Sequence, residues 1–242
     1  MVSMFENLKS QFILNFVEDE RWRYLVNGLG NTLKITFVAL VLGLVIGVVI
    51  AIVRSTWDKN NESMRPGPGR FFLKIANGLC KLYLTVIRGT PVVVQLMIIY
   101  YIIFASSNNG VGIAMLAFGI NSGAYVAEII RGGIMSIDAG QFEAGRSLGL
   151  NFTQTMRHII IPQAFKNVLP ALANEFIVLL KETSVAGYVS VIDLTKGGDI
   201  IRGRTYSAFM PLIAVALIYL VMVIFFTWLV GKLERRLRSS DH

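Results

Sequence analysis

A chain of 242 residues with 54% apolar side chains, 16% charged ones and a mean hydropathy of +0.61 is far too apolar for an ordinary soluble domain, and it reads as an integral membrane protein. A net charge of +8 would suit a nucleic-acid binder if the chain were soluble. Here the cations fall between apolar segments, where they orient a protein against its bilayer, and no nucleic-acid partner is expected.

Cys80 is the only cysteine, which excludes an intrachain disulfide and a thiolate metal cluster. Residues 1–31 mix Lys9, Arg21 and Arg23 with Glu6, Glu18, Asp19 and Glu20. They lack the basic start, short apolar core and small-residue cleavage site of a removed signal peptide. Phe5, Leu8, Phe12, Phe16 and Val17 recur near helical spacing, which predicts an amphipathic helix in the extracytoplasmic interface. The transmembrane domain is expected over 32–231. Its first span, 32–53, has no charge from Phe37 to Val53 and carries Gly43 and Gly47 at the spacing that lets membrane helices approach closely. A basic loop, 54–81, follows, with Pro66-Gly67-Pro68-Gly69 at its centre. In it Arg54, Lys59, Arg65, Arg70, Lys74 and Lys81 face only Asp58 and Glu62.

The second span, 82–104, is interrupted by Arg88-Gly89-Thr90-Pro91, a kink or an unwound turn. The third, 111–130, has Glu128 as its only charge, with Arg131 three residues on; a salt bridge and a polar-path role are both open, the salt bridge first. Next comes a polar elbow over 137–162. A short helix from Ile137 to Leu148 turns at Gly149, and a second helical piece from Phe152 must stop or bend at Pro162. The fourth span, 168–192, is apolar only to Leu180 before Lys181-Glu182-Thr183-Ser184 breaks it. An interrupted span of this kind points to a transport site. Glu175 and Glu182 lie two turns apart on one face of it. Glu128, Glu175, Lys181, Glu182, Thr183 and Ser184 are therefore the candidates for the substrate path. The fifth span, 208–230, is continuous, and a basic tail, 232–242, closes the chain. The fold class is all-α, an integral membrane protein with about five transmembrane helices.

Lys and Arg crowd the first loop, the elbow region (Arg131, Arg146, Arg157, Lys166) and the tail. The other side has only Lys9, Arg21, Arg23, Lys196, Arg202 and Arg204. That imbalance puts the elbow and the C-terminus in the cytoplasm and the N-terminus outside. No G-x-x-x-x-G-K-[ST] occurs, so the chain has no phosphate-cradling loop and cannot hydrolyse ATP alone. His158 and His242 form no metal or nucleophile constellation, and no catalytic residue, metal or cofactor is expected. Gly28 and Gly30 begin a dinucleotide-type fingerprint that no strand or third glycine completes.

Within the elbow, Glu143-Ala144-Gly145, three residues, Gly149, nine residues, Ile159, one residue and Ile161-Pro162 form a pattern that resembles the EAA motif of permease subunits of ATP-binding cassette importers. It departs at Gly145, where a second Ala is usual, and at Ile161, where Leu is usual. Arg88-Gly89-Thr90-Pro91 is similar to the family's RGTP. The run from Gly123 to Glu128, with Arg131-Gly132-Gly133 and 140–144, resembles the polar amino-acid branch, over about 24–236 of this chain. The resemblance implies that the elbow is a cytoplasmic coupling helix seated on a separate ATPase, with Gln141, Glu143, Ala144, Gly145, Gly149 and Pro162 as its coupling residues. It further implies ATPase subunits that bind the ATP, a second permease copy or close paralogue, an extracytoplasmic substrate-binding protein, an amino-acid substrate and a bacterial cell membrane. The competing reading is a self-sufficient secondary transporter or channel using Glu128, Glu175 and Glu182 as proton or cation sites.

Overall fold

The computed structural model describes residues 2–61 and 64–238; Glu62, His242 and the side chain of Phe5 lie outside the described residues. The helices in chain order are α1 (Val2–Phe12), α2 (Trp22–Asn60), α3 (Pro68–Gly89), α4 (Val92–Ile98), α5 (Gly110–Met135), α6 (Ala139–Ser147), α7 (Phe152–Thr155), α8 (Ile161–Glu182), α9 (Leu194–Thr205) and α10 (Phe209–Arg238). Wider π turns at Ile13–Val17, Ile99–Ile103 and Met156–Ile160 and a 3-10 stretch at Thr183–Val189 join several of them, and no strand occurs among the described residues. Also among the described residues, α2, α5 and α10 are each long and apolar enough to cross a bilayer, and α3 with 92–103 makes a fourth, broken candidate. The 22-residue α8 adds a helix of spanning length that carries Lys166, Glu175, Lys181 and Glu182, in line with an all-α membrane fold of about five spans.

Several helices outrun the expected apolar segments. α2 starts at Trp22 although Asn27, Gly28, Gly30 and Asn31 are weak helix formers, because tertiary contacts outweigh that local preference. The basic stretch read as a loop over 54–81 is mostly helical: α2 continues to Asn60 and α3 begins at Pro68. Proline suits the first turn of a helix, since its missing N–H is one that would go unbonded there anyway. The interruption read at Arg88-Gly89-Thr90-Pro91 is a true break, with Thr90 extended at φ −123° and ψ 147°.

The chain forms two compact units. The first comprises Met1–Ala39, Val92–Phe118 and Ile177–Trp228. In it α9 is clamped between the starts of α2 and α10 by glycines. A Cβ on Gly28 would stand 2.5 Å from the Asp193 carbonyl oxygen, and one on Gly197 would stand 2.4 Å from that of Tyr24. Asp193 caps α9, its carboxylate accepting from the Thr195 and Lys196 N–H groups at 2.9 and 3.1 Å. The Thr32 hydroxyl takes the Leu194 N–H at 3.1 Å. Phe16, Leu25, Leu194, Ile201 and Val215 fill the core between these elements. The N-terminal segment is tied down through buried Asn15. Its amide donates to the Ser207 hydroxyl at 3.2 Å, and its carbonyl accepts from Thr205 at 2.8 Å. Phe16 thus points into the core, while Leu8, Phe12 and Val17 stay open. On the surface of α9, hydrogen bonds from Lys196 and then Arg202 hold the Asp199 carboxyl below the usual carboxylate range.

The second unit comprises Leu40–Pro91, Gly119–Phe176 and Leu229–His242. The Gly43 and Gly47 pair is where α2 meets α5: a Cβ on Gly47 would fall 2.4 Å from Val126 Cγ1 and one on Gly43 3.0 Å from Ser122 Cβ. Gly133 lets α5 approach α8 in the same way, against Val168. Ile50, Leu84, Ala124 and Ala127 form the core beside this crossing, and the Tyr83 hydroxyl donates to the Ile120 carbonyl.

Candidate functional site

The elbow is built entirely within the second unit. Asp138 starts it as the N-cap of α6, its carboxylate accepting the Gly140 N–H at 2.7 Å. At the other end Gly149 adopts φ +80°, the left-handed conformation that its lack of a side chain permits. The Gly149 N–H reaches the Arg146 carbonyl at 2.9 Å and the Leu150 N–H reaches that of Gly145 at 3.1 Å. This pair of bonds is the Schellman closure, which satisfies carbonyls that the helix end would leave open. The chain restarts at Asn151, whose side chain accepts the Gln154 N–H at 2.9 Å while Gln154 accepts the Asn151 N–H at 2.9 Å. That reciprocal capping box opens α7.

Pro162 does not end the helical run. The π turn at Met156–Ile160 widens the ladder just ahead of it, with the Ile161 N–H reaching back to the Met156 carbonyl, so the proline sits in the first turn of α8 and the chain continues. Beneath the elbow Ile134, Ile137, Ile160 and Ala164 pack with Phe142, Met156 and Ile159. Gln163 of α8 donates to Gln141 Oε1 at 3.3 Å, and Asn167 donates to the Ser136 hydroxyl at 3.2 Å. The elbow is thereby braced on the helix that follows it.

Glu143 lies a turn inside α6, so the cap at the start of this helix belongs to Asp138 instead. Glu143 is exposed and lines a groove of about 490 Å³ with Lys59, Asn60, Phe142, Arg146 and Phe152. The Lys59 ammonium stands 4.7 Å from the centre of the Phe142 ring, which stacks on Phe152 with centroids 6.5 Å apart. Ala144 is exposed, whereas Gly145 is buried against Thr155: a Cβ there would meet Thr155 Cγ2 at 2.7 Å and Oγ1 at 2.9 Å. The departure from the usual alanine is therefore a fitted feature. Gly145→Ala is expected to destabilise the elbow by about 1–3 kcal/mol, an overpacking cost. Limited proteolysis at the elbow in the purified protein should accelerate, and Thr155→Ala in the same chain should reverse the change. An alanine variant as resistant as the parent, with Thr155 intact, contradicts the close contact.

The charged span residues fall into separate settings. In the second unit Glu128 receives Arg131 at 3.0 and 3.2 Å and stands 3.6 Å from Arg88, and Arg131 also reaches Asp58 at 3.5 Å. Glu175 is buried at 7% exposure and accepts from the Ser122 hydroxyl at 3.0 Å. In the first unit α8 ends at Glu182, which is half-buried, with Lys181 exposed. Thr183 is buried and donates to the Leu180 carbonyl at 2.8 Å, and Ser184 is half-buried. Sequence reasoning missed Asp138, Asn151 and Thr155; the Asn151-x-x-Gln154 spacing was the readable signal for a helix start.

A family model described as "Binding-protein-dependent transport system inner membrane component" matches residues 43–239. The chain belongs to this family. This permease is a multi-pass component of a bacterial cell membrane and a transport subunit rather than an enzyme. It is 37% identical over 221 residues to the arginine transport system permease protein ArtQ of Bacillus subtilis strain 168, covering 90% of this chain and 94% of that one. It is 39% identical over 168 residues to the glutamine transport system permease protein GlnP of Escherichia coli K12, covering 68% and 77%. A solved structure titled "Crystal structure of an amino acid ABC transporter with histidines" superposes with a TM-score of 0.79 at 41% identity, over 91% of the permease and 98% of that chain. Membership of an importer family sets aside the self-sufficient secondary transporter.

Proposed function

We propose that the permease is the translocation subunit of an ATP-driven importer for polar amino acids, with the elbow receiving the movement of separate ATPase subunits. The observation that carries the reading is the construction of α6. It is closed at both ends, packed on its own small core and braced through Gln141 and Gln163 on α8, so a push on it is delivered to a membrane helix. Exposed Glu143 and Arg146 supply charged groups for the partner. The ATP is bound by the partner, and the permease needs no cofactor or metal of its own. A second copy or close paralogue and an extracytoplasmic substrate-binding protein complete the importer. Residues 1–31 lie on the outer side, and the elbow and the tail at 232–242 lie in the cytoplasm.

Glu175 is the most buried of the charged path candidates and accepts from Ser122 inside a membrane helix, where a carboxylate is expensive to hold. Glu175→Gln keeps an acceptor for Ser122 and removes the charge. It is expected to lower uptake of labelled amino acids by about tenfold, the weight of one hydrogen bond to a charged group, with ATPase binding unchanged. Parent-level uptake by this variant reduces Glu175 to a packing partner of Ser122.

A further inference from the structure

At the start of α3 the second unit carries a groove of about 440 Å³, lined by Trp57 of α2, by Asn61 just after that helix, and by Gly67, Arg70, Phe71 and Lys74. Arg70 is held there by its Nε–H, which donates to Asn61 Oδ1 at 3.2 Å. Across its whole length α3 has Arg70, Lys74, Lys81 and Arg88 and no Asp or Glu. From the groove an apolar stripe runs along the same helix: Phe71, Ile75, Leu79, Leu82 and Val86, spaced four, four, three and four residues apart, each at least 46% exposed. Arg70, Lys74 and Lys81 form a second stripe beside it, because they recur at intervals of four and seven.

We propose that this groove and stripe bind an anionic phospholipid, with the phosphate headgroup between Arg70 and Lys74 and the acyl chains along Phe71, Ile75, Leu79 and Leu82. A phosphate matches both the cations and the uncapped N-terminus of α3, where Gly67 offers no side-chain acceptor and the first turn has no acid. The exposed aromatic side chains Phe71 and Phe72 suit the boundary between headgroups and acyl chains. A second copy fits poorly, since a two-fold contact through this face would set Arg70 and Lys74 against like charges of the same stripe.

The test is native mass spectrometry of the full chain released from nanodiscs holding equal amounts of dioleoyl phosphatidylglycerol and dioleoyl phosphatidylcholine. Retained phosphatidylglycerol should predominate. Arg70→Gln with Lys74→Gln should cut its retention about thirtyfold, the product of two cation–headgroup contacts, while Arg70→Lys with Lys74→Arg keeps it. Equal retention of the two lipids, or undiminished phosphatidylglycerol on the double glutamine variant, overturns the proposal. So does displacement of the lipid by millimolar inorganic phosphate, which marks a simple anion site. A disulfide between two copies bearing Phe71→Cys in a Cys80→Ser background overturns it as well, because the face is then covered by protein.

Discussion

Gly149→Val is expected to abolish substrate-stimulated ATP hydrolysis in a reconstituted complex while leaving the spans folded. Gly149 holds φ +80°, and a Cβ added there would have nothing within 4 Å, so the obstacle to a side chain is the backbone conformation and not a lack of room. A β-branched residue in the left-handed region costs at least about 1–2 kcal/mol. Relief of that strain would forfeit the bonds from Gly149 and Leu150 to the Arg146 and Gly145 carbonyls, at about 1 kcal/mol each. Those amounts exceed what a nine-residue helix such as α6 can absorb by local propensity. The spans do not depend on the turn, so expression and extraction should match the parent. Gly149→Asn is the control, since Asn tolerates this conformation and should preserve most of the stimulation. Parent-like stimulation with Val would make the elbow an ordinary loop.

Gly197→Ala should be the most damaging small substitution for folding. In an exposed helix an alanine for glycine gains about 1 kcal/mol. Here the new Cβ would stand 2.4 Å from the Tyr24 carbonyl oxygen, a backbone atom that cannot rotate aside, so α9 and the start of α2 must separate. Overpacking of this kind costs about 1–3 kcal/mol or more and would also disturb the Asp193 cap and the Thr32 bond to Leu194. Loss of the monodisperse species in size-exclusion chromatography of detergent extracts is the expected result. Gly203→Ala on the same helix, with nothing within 4 Å of its Cβ, should be neutral or stabilising. Equal behaviour of the two alanines would contradict the clamp.

What could be read from the residues was mainly local. The turn at Gly149, the break at Thr90 and Pro91 and the end of the α-helix at Lys181-Glu182-Thr183-Ser184 all follow from glycine, proline or charge within a few positions. The meeting of helices at Gly43 and Gly47 was visible as a spacing, though its partner, α5, was not. Features set by distant segments were hidden. Gly28 looked like a fragment of a nucleotide fingerprint and proves to be the contact for the Asp193 carbonyl. α2 runs through Asn27 to Asn31 for the same reason, since packing against α9 and the residues just before it decides there against local propensity. In the elbow, the motif marked out the candidate segment, but the fit of Gly145 to Thr155 needed the fold to bring residues ten apart into contact across a turn. Asp138 caps α6 from outside the motif, whose own acid, Glu143, lies a turn too late to do so.

The most direct test of the importer reading is uptake of a panel of labelled polar amino acids into proteoliposomes. These should hold the permease, its ATPase partner and its extracytoplasmic binding protein, with ATP on the ATPase side. The account predicts uptake that requires ATP and all three proteins and that is lost with Gly149→Val. Uptake by the permease alone, driven by a proton or cation gradient and indifferent to ATP, would contradict it.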